Sequence, residues 1–260
     1  MKLATWNVNS IRQRQAHVAA WLERHQPDLL LLQEIKCEAE QFPALAFPGY
    51  RAEVVGQKSY NGVAALGRVP FEVRARALPG VPEPAQARWI EVEVASPEGG
   101  GIVIGKGYFP NGNSGGTEGF AAKLAWMEAL RVHAKAMLED GRDLAILGDY
   151  NVCPGEEDLA AGALGANDAL VRPESRAAFR ALLWLGLTDA VRALHPTGRV
   201  YTFWDYQAAS FERDAGLRID HALLSARLAE RLVYAAPDRE ERARAQPSDH
   251  VPVLVEFASP

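Results

Sequence analysis

Four apolar residues, Leu144, Ala145, Ile146 and Leu147, run directly into Gly148, Asp149, Tyr150 and Asn151. An apolar run of this length stopped by glycine reads as a buried strand. Side chains two residues apart on extended backbone point to the same face. Asp149 and Asn151 therefore stand together at the mouth of that strand. One can accept a proton and the other can donate a hydrogen bond, which is what holding a reactive water requires. Gly, Asp and Asn are also the ordinary turn residues. Taken alone, the stretch is better read as a polar turn, and the rest of the chain has to decide.

The same grammar occurs earlier. Lys2 to Trp6 reads as a short strand followed by the turn Asn7-Val8-Asn9-Ser10. Ser10 is placed to cap a helix from about Ile11 to His25, with Ile11, Val18, Trp21 and Leu22 on one face. Pro27-Asp28 breaks it. Leu29 to Leu32 is a second buried strand, and it ends at Gln33-Glu34. If the two strands are parallel neighbours, Asn7 and Glu34 share a rim. In the middle, Tyr50–Val55, Val63–Leu66, Val73–Ala77 and Trp89–Val94 alternate between Gly, Pro and Asn breaks, the pattern of an antiparallel meander. Ile102 to Phe109 then reads as a buried strand entering a glycine-rich loop. Thr117 is placed to cap a long helix to about Glu139, which leads into the strand ending at Asp149. A third pair of strands carries Arg218-Ile219-Asp220 and Ser248-Asp249-His250. Residues 156–195 read as helical linkage, with Ala177–Leu185 stopped by Gly186. No Pro-, Ser- or Gly-rich linker divides the chain. Its 260 residues are expected to form one domain, 1–260: two stacked sheets with helices outside, related by a pseudo-twofold, with a polar cleft at the strand ends.

Composition narrows the classes. Hydrophobic residues are 48% and charged residues 23%, ordinary for a globular protein. No apolar run has transmembrane length. Two cysteines, Cys37 and Cys153, suit a reducing compartment, and a cytoplasmic location is expected. The net charge of −5 argues against a nucleic-acid coat protein. It does not argue against an enzyme that grips phosphates locally while its acids face a metal.

The polar strand ends collect Asn7, Glu34, Tyr108, Asn111, Asp149, Asn151, Asp220, Asp249 and His250. Carboxylates and amides with a single histidine are hard ligands, suited to Mg²⁺ or Mn²⁺ more than to Zn²⁺. With a base and hydrogen-bond donors, such a site can drive water onto a phosphate ester. Each residue has a plainer reading of equal weight: Glu34 paired with Lys36, Asp220 with Arg218, His250 as a turn residue. His221 is read as a partly buried structural histidine. No Gly-x-Ser-x-Gly nucleophile elbow occurs.

Eight short motifs in order then carry a resemblance: Trp6-Asn7-Val8-Asn9, Leu32-Gln33-Glu34-Ile35-Lys36-Cys37, Tyr60-Asn61-Gly62-Val63-Ala64, Gly107-Tyr108-Phe109-Pro110-Asn111-Gly112, Gly148-Asp149-Tyr150-Asn151, Tyr201-Thr202-Phe203-Trp204, Gly216-Leu217-Arg218-Ile219-Asp220 and Ser248-Asp249-His250. Together they resemble the exonuclease III class of apurinic/apyrimidinic endonucleases, within the endonuclease/exonuclease/phosphatase superfamily. The resemblance implies a four-layer α-β-β-α sandwich of two packed mixed sheets with outer helices. It implies a monomeric, Mg²⁺-dependent DNA-repair phosphodiesterase, with Mn²⁺ as a substitute, that cuts duplex DNA 5′ to abasic sites and trims 3′ ends. Glu34 is then the chief metal ligand, with Asn7, Asp149, Asn151 and Asp249 as further metal contacts. Asp149 activates water, Asn151 orients it, and His250 donates to a phosphate oxygen with Asp249 fixing its ring. Tyr108 donates to phosphate or leaving oxygen, Asn111, Asn7 and Asn151 contact phosphate, and Asp220 positions metal or leaving group. Phe203, Trp204, Leu217 and Ile219 are expected to line a pocket sized for a base-free sugar. Ser114 and Gln207 stand where some animal members insert an arginine and a methionine into DNA. A phosphoesterase for a small or lipid substrate on the same scaffold, and a nucleic-acid-binding relative without catalysis, remain alternatives.

Overall fold

The computed structural model describes residues 1–82, 85–96 and 100–258. In chain order its elements are β1 (Lys2–Asn7), α1 (Ile11–His25), β2 (Leu29–Gln33), β3 (Arg51–Val55), β4 (Val63–Gly67), β5 (Phe71–Ala75), β6 (Trp89–Ala95), β7 (Gly101–Tyr108), α2 (Gly116–Glu139), β8 (Asp143–Asp149), α3 (Pro173–Leu183), β9 (Thr188–Asp189), α4 (Ala190–Leu194), β10 (Asp220–Leu224), α5 (Ala226–Glu230), β11 (Leu232–Pro237) and β12 (Val253–Phe257). They build two six-stranded mixed sheets. The first runs β11-β12-β1-β2-β4-β3 and the second β5-β6-β7-β8-β10-β9. Position by position the two orders match, with the parallel pair β1-β2 in one and β7-β8 in the other. The pseudo-twofold expected from the order of elements is therefore present in the strand connections.

The continuous apolar strands are explained by burial on both faces. In β2, Leu29 and Leu31 point between the sheets, while Leu30 and Leu32 meet Val18, Trp21 and Leu22 of α1. On the far side, Met127, Leu130 and Ala134 of α2 cover Val103, Leu144 and Ile146. Each fully buried leucine contributes roughly 2 kcal/mol. The layers are thus helix, sheet, sheet, helix.

Three local expectations change. The four middle strands are not one meander: β3 and β4 pair in the first sheet, β5 and β6 in the second. The chain crosses between sheets through Arg68-Val69-Pro70, where proline has no N–H to continue a ladder. The strands carrying Asp220 and His250 also lie in different sheets, β10 in one and the approach to β12 in the other. Neither expected helix cap forms. Ser10 has φ 89° and makes no side-chain cap bond, and α2 starts at Gly116, ahead of Thr117.

Candidate active site

Strand register assembles the site. In the second sheet Tyr108 pairs with Asp149, and Asp149 with Asp220. Three side chains from three strands therefore form one row across the sheet end. Gly148 allows the close approach of β7 and β8 there: a Cβ on it would lie 1.9 Å from the Gly107 carbonyl oxygen. In the first sheet Asn7 pairs with Gln33, so Glu34 follows at the same rim. Glu34, Asn9 and Asn151 all have left-handed backbone, φ 49°, 43° and 50°. That conformation is tolerated by asparagine and costs a glutamate free energy, and such positions cluster at functional sites.

Asn7 links the two sheets. Its Nδ2 donates to Glu34 Oε1 at 2.9 Å and to Asp149 Oδ2 at 3.1 Å. Its Oδ1 accepts the Asn9 N–H at 3.1 Å. In this arrangement Asn7 orients two carboxylates. Glu34 also accepts from Tyr108 Oη at 2.9 Å and pairs with Lys36 Nζ at 2.9 Å. Burial alone would raise the Glu34 carboxyl, but the Asn7 bond and the Lys36 charge hold it below the usual range. Burial pushes the Tyr108 hydroxyl upward, as do the charges of Glu34 and Asp149, so it stays protonated.

His250 Nδ1 lies 2.8 Å from Asp220 Oδ2, which also accepts from Thr202 Oγ1 at 2.7 Å. Its Nε2 lies 3.8 Å from Asp149 Oδ2. Asp249 does not fix this ring. Its Oδ1 accepts from Asn9 Nδ2 at 3.2 Å and from Ser248 Oγ at 3.3 Å, away from the carboxylate cluster. Burial opposes a charged His250, yet the carboxylates of Asp220 and Asp149 outweigh it and lift the ring to about 10. Burial lifts Asp149 to about 7, against the pull of His250. A carboxylate titrating near neutrality suits a general base.

Asp149, Asp220 and His250 can each turn one ligand atom to within 4.8 Å of the others. Asp220 Oδ1 is buried with no hydrogen-bond partner. That orphaned acceptor and the carboxylate-rich set fit a hard divalent cation. Glu34 lies at the same rim, joined to Asp149 through the Asn7 carboxamide, and adds a further carboxylate that could hold the ion.

Asn151 donates from Nδ2 to the Phe109 carbonyl at 3.0 Å and accepts from Asn111 Nδ2 at 3.0 Å, while its own N–H donates to Asp149 Oδ1 at 2.9 Å. Phe203 stands edge-on to the His250 ring, centroids 4.9 Å apart. Leu217 and Ile219 share an apolar cluster with Phe203, as alternation requires. Trp204 leaves the expected pocket. It packs on Tyr201 and Phe211 in a different cluster, because its neighbour Phe203 takes the inward face. Arg218 points the other way, into ion pairs with Asp158 and Asp189. His221 is fully buried against the Val152 carbonyl at 2.9 Å, and burial pushes it down to about 4, so it is neutral and structural.

Two residues escaped the sequence reading. Lys123 of α2 is fully buried and donates to the carbonyls of Asn111, Asn151 and Ala169 at 3.0, 2.6 and 3.2 Å. Arg88 stacks over the Tyr108 ring at 4.7 Å. A lone lysine within an amphipathic helix carries no signal of what its tip reaches.

A model of the Endonuclease/Exonuclease/phosphatase family matches residues 4–250. The chain belongs to that family. Within it, this endonuclease/exonuclease/phosphatase protein is 35% identical over 267 residues to exodeoxyribonuclease III of Haemophilus influenzae, a match spanning 99% of this chain and 100% of the relative. It is 30% identical to the DNA repair nuclease APEX1 of Danio rerio, over 99% of this chain and 82% of that one. Among solved structures, an AP endonuclease from Archaeoglobus fulgidus superposes with TM-score 0.91 at 35% identity, covering 99% of both chains. A 3′ phosphatase, NExo, from Neisseria, solved bound to a product DNA hairpin, superposes with TM-score 0.92 at 37% identity, again over 99% of both. These family members share the two-sheet fold.

Proposed function

We propose that the protein is a divalent-metal-dependent DNA-repair hydrolase that cleaves duplex DNA 5′ to abasic sites and processes 3′ ends. The observation that carries this reading is the joint placement of Glu34, Asp149 and the Asp220–His250 pair at one rim. Mg²⁺ is the cation proposed, with Mn²⁺ as substitute. When bound it supplies Lewis-acid stabilisation of charge on the phosphate. Asp149, raised toward neutrality, takes the proton of the attacking water, and the Asn151 carboxamide orients that water or the phosphate. His250, held protonated by Asp220, donates from Nε2 to a non-bridging oxygen. Tyr108 keeps its proton and donates toward the leaving oxygen, with Asn111 on the phosphate. The base-free sugar rests on Phe203 and Leu217. The site is complete within one chain, which supports action as a monomer. Two free buried cysteines support a cytoplasmic setting. Among the described residues no helix is long and apolar enough to cross a membrane.

The test is incision of a duplex carrying one abasic analogue, with Mg²⁺ and with chelator, for the wild type and Glu34→Gln. The substitution keeps size and removes charge. It should lose most activity and need far more Mg²⁺. Identical metal dependence in the two proteins would overturn the Glu34 assignment. Release of phosphate from inositol or sphingolipid head groups without action on duplex DNA would replace the function itself.

A further inference from the structure

A cavity of about 330 Å³ opens beside the candidate active site, between residues 161–164 and the 205–215 loop. Phe203 and Leu217 form part of its wall. Phe203 is also the ring neighbour of His250, so the cavity begins where a phosphate held by His250 would place its sugar. Besides Phe203 and Leu217 its lining includes apolar Ala163 and Leu164 and polar Gln207 and Arg213. The side chains of Gln207 and Arg213 are exposed and make no hydrogen bond among the described residues. Ala208 and Ala209, both left-handed at φ 55° and 50°, turn the loop with side chains too short to fill the space.

This combination has a chemical counterpart. A flat apolar wall accepts a π-face, a guanidinium can stack on or donate to a base, and a carboxamide can both donate to and accept from a base edge. The volume lies at the low end of the roughly 300–1,000 Å³ range of small-ligand pockets, which suits one heterocycle. We propose that this cavity is a nucleobase subsite, which receives the base of an intact 3′-terminal nucleotide during exonucleolytic cleavage. The reaction is ordinary hydrolysis. Water oxygen bonds to phosphorus, the P–O3′ bond breaks, the leaving oxygen gains a proton, and the terminal residue departs as a 5′-mononucleotide. The pocket therefore does not exclude an intact nucleotide by size. Preference for an abasic sugar comes from the lower cost of unstacking it. The inference rests on the DNA-hydrolase reading above.

The experiment compares digestion of undamaged recessed 3′ ends with incision at a tetrahydrofuran site, for the wild type, Ala163→Phe and Arg213→Ala. Filling the cavity should lower the ratio of exonuclease to incision at least tenfold. Arg213→Ala, at an exposed position, should raise KM for undamaged ends more than it changes kcat, with Tm unchanged. An unaltered ratio in both variants overturns the subsite. A wild type that incises abasic DNA but leaves undamaged ends intact overturns it too, while the functional reading survives. A wild type inert on both substrates removes that reading and the subsite with it.

Discussion

His250 is bound by the aspartate thirty residues away in sequence and not by the one beside it. Asp249 sits in a bend, and its carboxylate turns to Asn9 and Ser248. The Ser-Asp-His triplet is legible as a site motif, but its sequence order points to Asp249, whereas proximity across the two sheets belongs to Asp220. Register corrects it, since Asp220 lies beside Asp149 on a paired strand. The consequence is measurable in the metal-free protein. Asp220→Asn should lower the His250 pKa from about 10 by far more than Asp249→Ala does, followed by NMR titration of the ring. Equal shifts in the two variants would restore Asp249 as the orienting group. Phe203 was legible for the reason Trp204 was not: only one of two neighbours can face the cleft.

Elements whose apolar runs are continuous were readable almost to the residue. Helix α1 ends at His25 as expected, and the β1-β2 and β7-β8 pairs deliver their polar ends to one rim. The middle strands were readable as strands, but alternation says nothing about which sheet a strand joins. Helix α2 shows a different gap. Its length was evident, yet its role depends on Lys123, whose ammonium bridges the carbonyls of Asn111, Asn151 and Ala169. Those bonds tie the glycine-rich loop to the loop after β8. Burial lowers Lys123 to about 8, so it still carries its proton at neutral pH, and methionine keeps a similar length without the charge. Lys123→Met should therefore reduce kcat/KM by roughly tenfold or more, as expected when an orienting contact is lost, with a modest fall in Tm. Lys123→Arg should recover part of the activity. Steady-state kinetics beside thermal melts would decide, and a loss of Tm with kcat/KM intact would make the lysine a purely structural brace.

For the molecule as a whole, two buried histidines limit stability from opposite sides. His221 folds with a pKa near 4, below the 6.5 of the free ring. The unfolded chain binds that proton more readily, so stability falls as pH drops from about 6.5 toward 4. His250 folds with a pKa near 10. Its contribution is fully present below about 6.5 and is lost as pH rises toward 10. In chelator, Tm should decline on both sides of neutrality, and His250→Asn should flatten the alkaline side. An alkaline limb unchanged in that variant would assign it to another group. The matched strand orders of the two sheets have a consequence in time. The second sheet is drawn from one unbroken stretch, β5 to β10. The first is split, with β1 from the start of the chain paired against β12 from its end. A chain emerging from the ribosome can pair β5 through β10 while β1 still lacks β12. Closing so long a loop is slow. Pulse-labelled amides of β7 and β8 should gain protection before those of β1 and β12. The cleft, which needs Asn7 from one sheet and Asp149 from the other, would then be among the last features of the molecule to form, leaving nascent protein unable to cut until its final strand docks.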